Sequence, residues 1–259
     1  MVQGAELRTR RPAPALAQLL GCYWWVDIAQ GTRLRTFPDA CTTISIVVRP
    51  DAAPESYFIG PRLVPRESSP AIGHSVFGVR LRPGAAFLFT STPVCRFVGE
   101  RKLLAEVAPA DAARFEERVA GASTVHQHFD ALEELMLFRL AACSVHPCVR
   151  KAIDIVEQSG GQVRIAELAR CCEVGTRRLG HLLNTWVGLS PKTLARVTRF
   201  QKFLEQMEHE PNESSAARAV DLGYFDQAHL TKEVAQFFGA TPGRMSPHQV
   251  ADLSKTRCG

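Results

Sequence analysis

Gly188-Leu189-Ser190-Pro191 recurs 51 residues later as Gly239-Ala240-Thr241-Pro242. Leu179 and Leu183 map at the same offset onto Leu230 and Val234. Ala169 maps onto Ala219 at an offset of 50, so the single extra residue falls in the intervening turn. A chain that repeats a segment in this way builds one supersecondary unit twice, and each unit buries its apolar face against its neighbours. Both copies read as helix, short turn, helix, Gly, small residue, Ser/Thr-Pro.

In the first copy, Ile165, Leu168, Ala169 and Cys172 give a short helix an apolar stripe, and Gly175 is an acceptable N-cap for the next. Leu179, Leu182, Leu183 and Trp186 form the buried face of that second helix. Its opposite face presents Arg177, Arg178, His181 and Asn184. In the second copy Asp226 is the N-cap, and Leu230, Val234, Phe237 and Phe238 are the core face. Gln227, His229, Thr231 and Lys232 fall outside that stripe.

Between the copies, Ser190 caps a helix that has Pro191 at its first position, where proline is favoured. It runs to about Met207, roughly 25 Å at ~1.5 Å per residue. A spacer of that length can hold two helices about one DNA turn apart, in successive major-groove segments. A net charge of +5 permits a nucleic-acid partner without requiring one, but the positive charge is concentrated in one stretch. Residues 145–204 hold ten Lys/Arg against four Asp/Glu, net +6, whereas residues 205–259 carry a net −3 and residues 1–144 a net +2.

Residues 147–249 resemble the DNA-binding domain of the AraC/XylS family of bacterial transcription regulators. The residues that carry the likeness are Ile165-Ala166-Glu167-Leu168-Ala169, Leu179, Gly188-Leu189-Ser190-Pro191, Arg199-Phe200, Gly223-Tyr224-Phe225-Asp226-Gln227-Ala228-His229-Leu230 and Gly239-Ala240-Thr241-Pro242. The resemblance implies a tandem helix-turn-helix in which helices from Thr176 and from Gln227 each enter a major groove. The implied DNA-binding residues are Thr176, Arg177, Arg178, Gly180, His181, Asn184, Gln227, Ala228, Thr231 and Lys232. Three positions depart from the family pattern. Gly180 stands inside a recognition helix, Arg218 occupies a site that is usually apolar, and Glu233 is badly placed if it faces a phosphate.

The first ~100 residues are β-rich. Cys22–Ile28, Cys41–Arg49, Ser56–Ile59, Ser75–Leu81 and Ala86–Thr90 are short β-branched and aromatic runs separated by turn formers such as Pro50-Asp51 and Pro83-Gly84. From Leu103 to Ala142 the pattern is helical, and His146-Pro147 marks a boundary. Phe37-Pro38-Asp39, Ile59-Gly60-Pro61-Arg62 and Gly78–Ala86 resemble the barrel-like domain that precedes some AraC-type DNA-binding domains, which implies a sensory or dimerising role.

Competing chemistry has little to stand on. Cys143-Ser-Val-His146-Pro-Cys148 lacks the matching second half of a zinc site, and His126-Gln-His128 lies in a helical stretch with no spaced Glu. The eight cysteines have no framework spacing, so reduced thiols are expected. No run approaches the ~20 apolar residues of a membrane span, and nothing at the N-terminus reads as a signal peptide.

The expectation is an α+β multidomain protein. An N-terminal β-barrel or sandwich-like domain with helices occupies 1–144, and an all-α tandem helix-turn-helix domain occupies 145–259. It would be a cytoplasmic, sequence-specific activator or repressor that binds double-stranded DNA without cofactor, metal or catalytic residues. RNA polymerase, a small-molecule effector and a homodimer partner are the further expectations. The alternative is an enzyme with a catalytic N-terminal barrel that the DNA-binding domain localises or regulates.

Overall fold

In the computed structural model, residues 2–3, 6–30, 32–68, 72–90, 92–140 and 144–245 are described. The strands are β1 (Val2–Gln3), β2 (Leu7–Arg10), β3 (Leu20–Asp27), β4 (Arg33–Thr36), β5 (Thr42–Arg49), β6 (Ala52–Ile59), β7 (Arg66–Ser68), β8 (Ser75–Leu81) and β9 (Arg101–Leu103). A six-stranded antiparallel sheet has the order β2-β3-β8-β5-β6-β9, and a three-stranded sheet has the order β1-β4-β7. The β5–β6 hairpin closes on Pro50-Asp51, with Arg49 opposite Ala52. On β8, alternate residues Phe77, Val79 and Leu81 are buried, as the two-residue period of a strand requires. Gly78, between them, lets β5 and Trp24 close in, because a Cβ there would lie 2.3 Å from the Ile44 carbonyl oxygen.

The strand expected at Ala86–Thr90 is instead a 3-10 turn, Ala85–Phe89. Gly84 takes the left-handed conformation (φ 87°), and the Ala85 N–H donates to the Arg82 carbonyl at 3.0 Å, so the chain coils after Pro83 instead of extending. Ala85, Ala86 and Phe89 all face the core, a spacing that periodicity over so short a run does not separate from a strand.

Nine helices follow among the described residues: α1 (Leu104–Val107), α2 (Pro109–Ala120), α3 (Val125–Leu140), α4 (Pro147–Gln158), α5 (Ile165–Cys171), α6 (Thr176–Trp186), α7 (Pro191–His209), α8 (Ser215–Asp221) and α9 (Gln227–Phe238). In α2, Asp111, Ala112, Phe115 and Val119 make one buried face, and Glu116 beside it accepts hydrogen bonds from the Ser56 backbone N–H and hydroxyl on β6. The helix α3 is tied to β2 by Arg10, which pairs with Asp130 and Glu133. His146 caps α4, its ring nitrogen accepting from the Cys148 N–H, with Pro147 at the first helical position. No helix among the described residues is long and apolar enough to cross a membrane.

Candidate nucleic-acid interface

The second helix of each repeat forms where its cap and stripe place it. Gly175 precedes α6, whose Leu179 and Leu183 are fully buried. Asp226 precedes α9, its carboxylate accepting the His229 N–H at 2.7 Å. The repeated glycines have one job. Gly188 and Gly239 both sit at positive φ, 85° and 84°, where the chain leaves α6 and α9. Between them α7 is 19 residues long, ~28 Å at ~1.5 Å per residue, and Ser190 caps it through the Thr193 N–H.

On α6, Thr176, Arg177, Arg178 and His181 are exposed, while Gly180 and Asn184 are half-buried. A Cβ at Gly180 would meet open space, so the missing side chain leaves a gap in this face. On α9, Gln227, Ala228 and Lys232 are exposed and Thr231 is half-buried. Asp226, Gln227, Ala228, Thr231, Lys232, Ala235 and Thr241 line one shallow groove. The expected residues of each repeat are thus brought together on one outward face per helix.

Four charged residues behave differently from what charge counting implies. Glu233 faces inward, only 4% exposed; it pairs with Arg196 at 2.6 Å and accepts the Tyr224 hydroxyl at 3.1 Å. Burial, with Glu233 beside it, pushes the Tyr224 phenol above its ordinary range. Arg218 is 1% exposed and donates to the carbonyls of Glu210 and Glu213, tying down the turn between α7 and α8. A guanidinium with several such acceptors fits a site an apolar side chain would otherwise fill. Arg199 donates to the Gly161 carbonyl at 2.8 Å. Arg196 and Arg199 therefore brace the two repeats, and the positive surface open to a ligand is smaller than the net +6 of residues 145–204.

Sequence reasoning missed the surface behind the recognition helices. Trp186, expected as core, packs at the end of α6 against Phe87, with ring centroids 4.4 Å apart, and against His146. Phe238, at the end of α9, stacks on Phe37 at 4.7 Å. Gln201 of α7 donates to the Pro38 carbonyl. The only sequence signal for these contacts is aromatic residues at the far ends of both helices.

The metal candidates do not converge. His128 is buried between Trp25 and Phe77, while His126 is exposed. Cys143 lies outside the described residues, among which no group of three or more metal-ligating side chains forms. Cys41, Cys95, Cys148, Cys171 and Cys172 are free thiols, and burial pushes Cys41 up to about 12. Cys22 is disulfide-bonded, which corrects the expectation of uniformly reduced cysteines. Pairing follows from spatial proximity of Cβ atoms, which sequence spacing does not report.

A family model described as a helix-turn-helix domain matches residues 168–247. Those residues form an AraC-type helix-turn-helix region. The chain is accordingly a DNA-binding transcription regulator with an N-terminal sheet-rich domain and a C-terminal helical region. The matching model is that of a DNA-binding family, not an enzyme family. A second model, described as a domain of unknown function (DUF6597), matches residues 8–101. No curated relative matches the chain. Among solved structures, ToxT from Vibrio cholerae is similar at 9% identity and a TM-score of 0.44, covering 96% of this chain and 97% of that one. ToxT from Vibrio cholerae O395 bound to (E)-4-(8-methylnaphthalen-1-yl)but-3-enoic acid is similar at 10% identity and a TM-score of 0.45, covering 96% and 98%.

Proposed function

We propose that this chain regulates transcription by docking α6 and α9 into successive major-groove segments on one face of its operator. One observation carries the reading: two outward polar faces are held by a single helix, α7, which packs against both α6 and α9. Leu194 is buried just after the Ser190 cap of α7, and the Phe200–Phe237 contact (5.3 Å) with the Arg196–Glu233 pair joins α7 to α9. Arg177, Arg178 and His181 supply cationic or guanine-reading groups, and Gln227 matches the donor and acceptor of adenine. Thr176, Asn184, Ala228, Thr231 and Lys232 complete the contact set, and Gly180 lets the α6 backbone approach the duplex closely.

The division into 1–144 and 145–259 belongs to the same proposal. The N-terminal part senses a small-molecule effector or dimerises, and the C-terminal part meets DNA in the cytoplasm and recruits or blocks RNA polymerase. The contacts of Phe37 and Phe87 with the ends of α9 and α6 support this, since a change in the sheet-rich domain reaches both helices. Selection from random duplexes by the full-length chain, followed by footprinting, tests the docking. A recovered motif with two protected major-groove segments about one helical turn (~34 Å) apart supports it. A single protected segment, or no motif, rejects it.

A further inference from the structure

The hydrogen-bond pattern shows which residue is the extra one. Up to the second turn the repeats match at an offset of 50. The Cys172 N–H donates to Leu168 as Leu222 does to Arg218, Glu173 to Arg170 as Gly223 to Val220, and Val174 to Ala169 as Tyr224 to Ala219. Glu173 and Gly223 share the positive φ this turn needs, 57° and 67°. From the N-caps onward, Gly175 against Asp226, the offset is 51. Phe225 is the insertion. Tyr224 turns into the core as Val174 does, and Phe225 is left 92% exposed directly before the cap of α9.

A phenylalanine in water forgoes the roughly 1.5–3 kcal/mol that burial would give, and single exposed apolar residues are common on surfaces. Position sets this one apart. It immediately precedes Asp226 and Gln227, the first residues of the groove they line with Ala228, Thr231 and Lys232, and so stands at the N-terminal end of the helix, the end that a recognition helix presents to base edges. Its neighbours along the chain are poor in cations. Arg218 is buried, no Lys or Arg stands between it and Lys232, and the Asp226 carboxylate is engaged as the cap. What this corner offers DNA is an apolar ring, and the apolar feature of the major groove is the C5-methyl group of thymine.

We infer that Phe225 reads a thymine methyl at the edge of the base pairs contacted by α9. The inference rests on the proposed docking of α9 in a major groove. It gives the second repeat a base contact that needs no positive charge, in the part of the chain with net −3.

The test uses the full-length chain, Phe225→Ala and Phe225→Leu, on the duplex selected by the wild type. Each thymine is replaced in turn by deoxyuridine, which removes only the methyl. One replacement should weaken wild-type binding roughly three- to tenfold, leave Phe225→Ala unchanged and affect Phe225→Leu to an intermediate degree. Both variants should melt with the wild type, since the ring is exposed. If every deoxyuridine acts alike on wild type and Phe225→Ala, or the variant binds as the wild type does, the methyl contact is wrong while operator recognition stands. Equal weakening on all duplexes, or a bend in DNA that Phe225→Ala abolishes, would instead make the ring a backbone contact or a minor-groove wedge and overturn the inference. A wild-type chain that selects no sequence removes the docking reading and this contact with it.

Discussion

The Arg35 guanidinium lies over the ring of Phe238 at 4.8 Å and donates to the carbonyl of the same residue at 2.7 Å. A side chain of β4 thereby caps the last turn of α9, where backbone carbonyls lack helical partners. The same guanidinium covers Phe37 at 5.1 Å and pairs with Glu67 at 3.1 Å, and Phe37 is itself stacked on Phe238. The joint between the sheet-rich domain and the second recognition helix thus has a cation against a stacked pair of rings at its centre. Arg35→Ala should lower unfolding stability by about 1–3 kcal/mol, from the charge-assisted hydrogen bond and the cation–π contacts. Arg35→Lys should recover only part of this, since an ammonium lacks the planar fork. Urea unfolding of the three proteins measures it, and an unchanged Arg35→Ala midpoint would show the joint contributes nothing.

Glu233 supports α9 from inside. Glu233→Ala leaves Arg196 and the Tyr224 hydroxyl without their carboxylate and should cost about 2–3 kcal/mol, below the range for a fully buried pair because Arg196 is partly exposed. Glu233→Gln keeps an acceptor for Tyr224 and should cost less. Equal losses in the two variants would mean that the negative charge beside Arg196 carries the whole effect and the acceptor for Tyr224 none.

His128 couples the sheet-rich domain to pH. Its ring is packed against Trp25 and Phe77, each with centroids 5.0 Å away, and Nδ1–H donates to the Thr124 carbonyl at 2.7 Å. Burial lowers its pKa, so the unfolded chain takes up a proton that the folded chain resists. Stability from this residue is therefore present above the unfolded pKa of ~6.5 and is lost as pH falls below it. His128→Phe should be the less stable protein at pH 8, and its deficit against the wild type should narrow by pH 5. Unfolding free energies at both pH values check this; a constant deficit would contradict a neutral imidazole.

Among cations on the outward faces, Arg177 and Arg178 stand on α6 and Lys232 on α9. Arg177→Ala and Arg178→Ala should each cost about 1–3 kcal/mol of operator affinity if they read bases, or flatten the salt dependence by roughly one unit if they hold phosphates. Lys232→Ala should cost less than either. Affinities measured across a salt series decide it, and a larger loss at Lys232 than at both arginines would reverse the assigned dominance of the first repeat.

Gly180 sits inside α6 with open space where a Cβ would stand. Gly180→Ala should stabilise the protein by about 1 kcal/mol through helix propensity. If close approach of the α6 backbone matters, operator affinity should fall in the same variant. A thermal melt with a binding isotherm separates the two effects, and an unchanged affinity would remove the close-approach role.

The helical half of the molecule was legible because its rules are local. A stripe of Leu179, Leu183 and Trp186, a cap at Asp226 and a proline at the first position of α7 each act within a turn or two of chain, so periodicity and offset placed α6, α7 and α9 before any coordinates. The same local rules failed at Ala85–Phe89, where five apolar residues suit a strand or a coil equally well. What only the tertiary structure decided are contacts between residues far apart in sequence. Glu233 turns inward because Arg196, 37 residues earlier, and Tyr224 meet it there. Arg35 and Phe238 are 203 residues apart, and nothing near either predicts the other. That the second turn holds one extra residue could be counted from the offset alone, and the backbone bonds identify it as Phe225. That it is the residue expelled to solvent follows from the backbone bond of Tyr224 to Ala219, which holds the tyrosine in the core and leaves the next side chain nowhere to go but out.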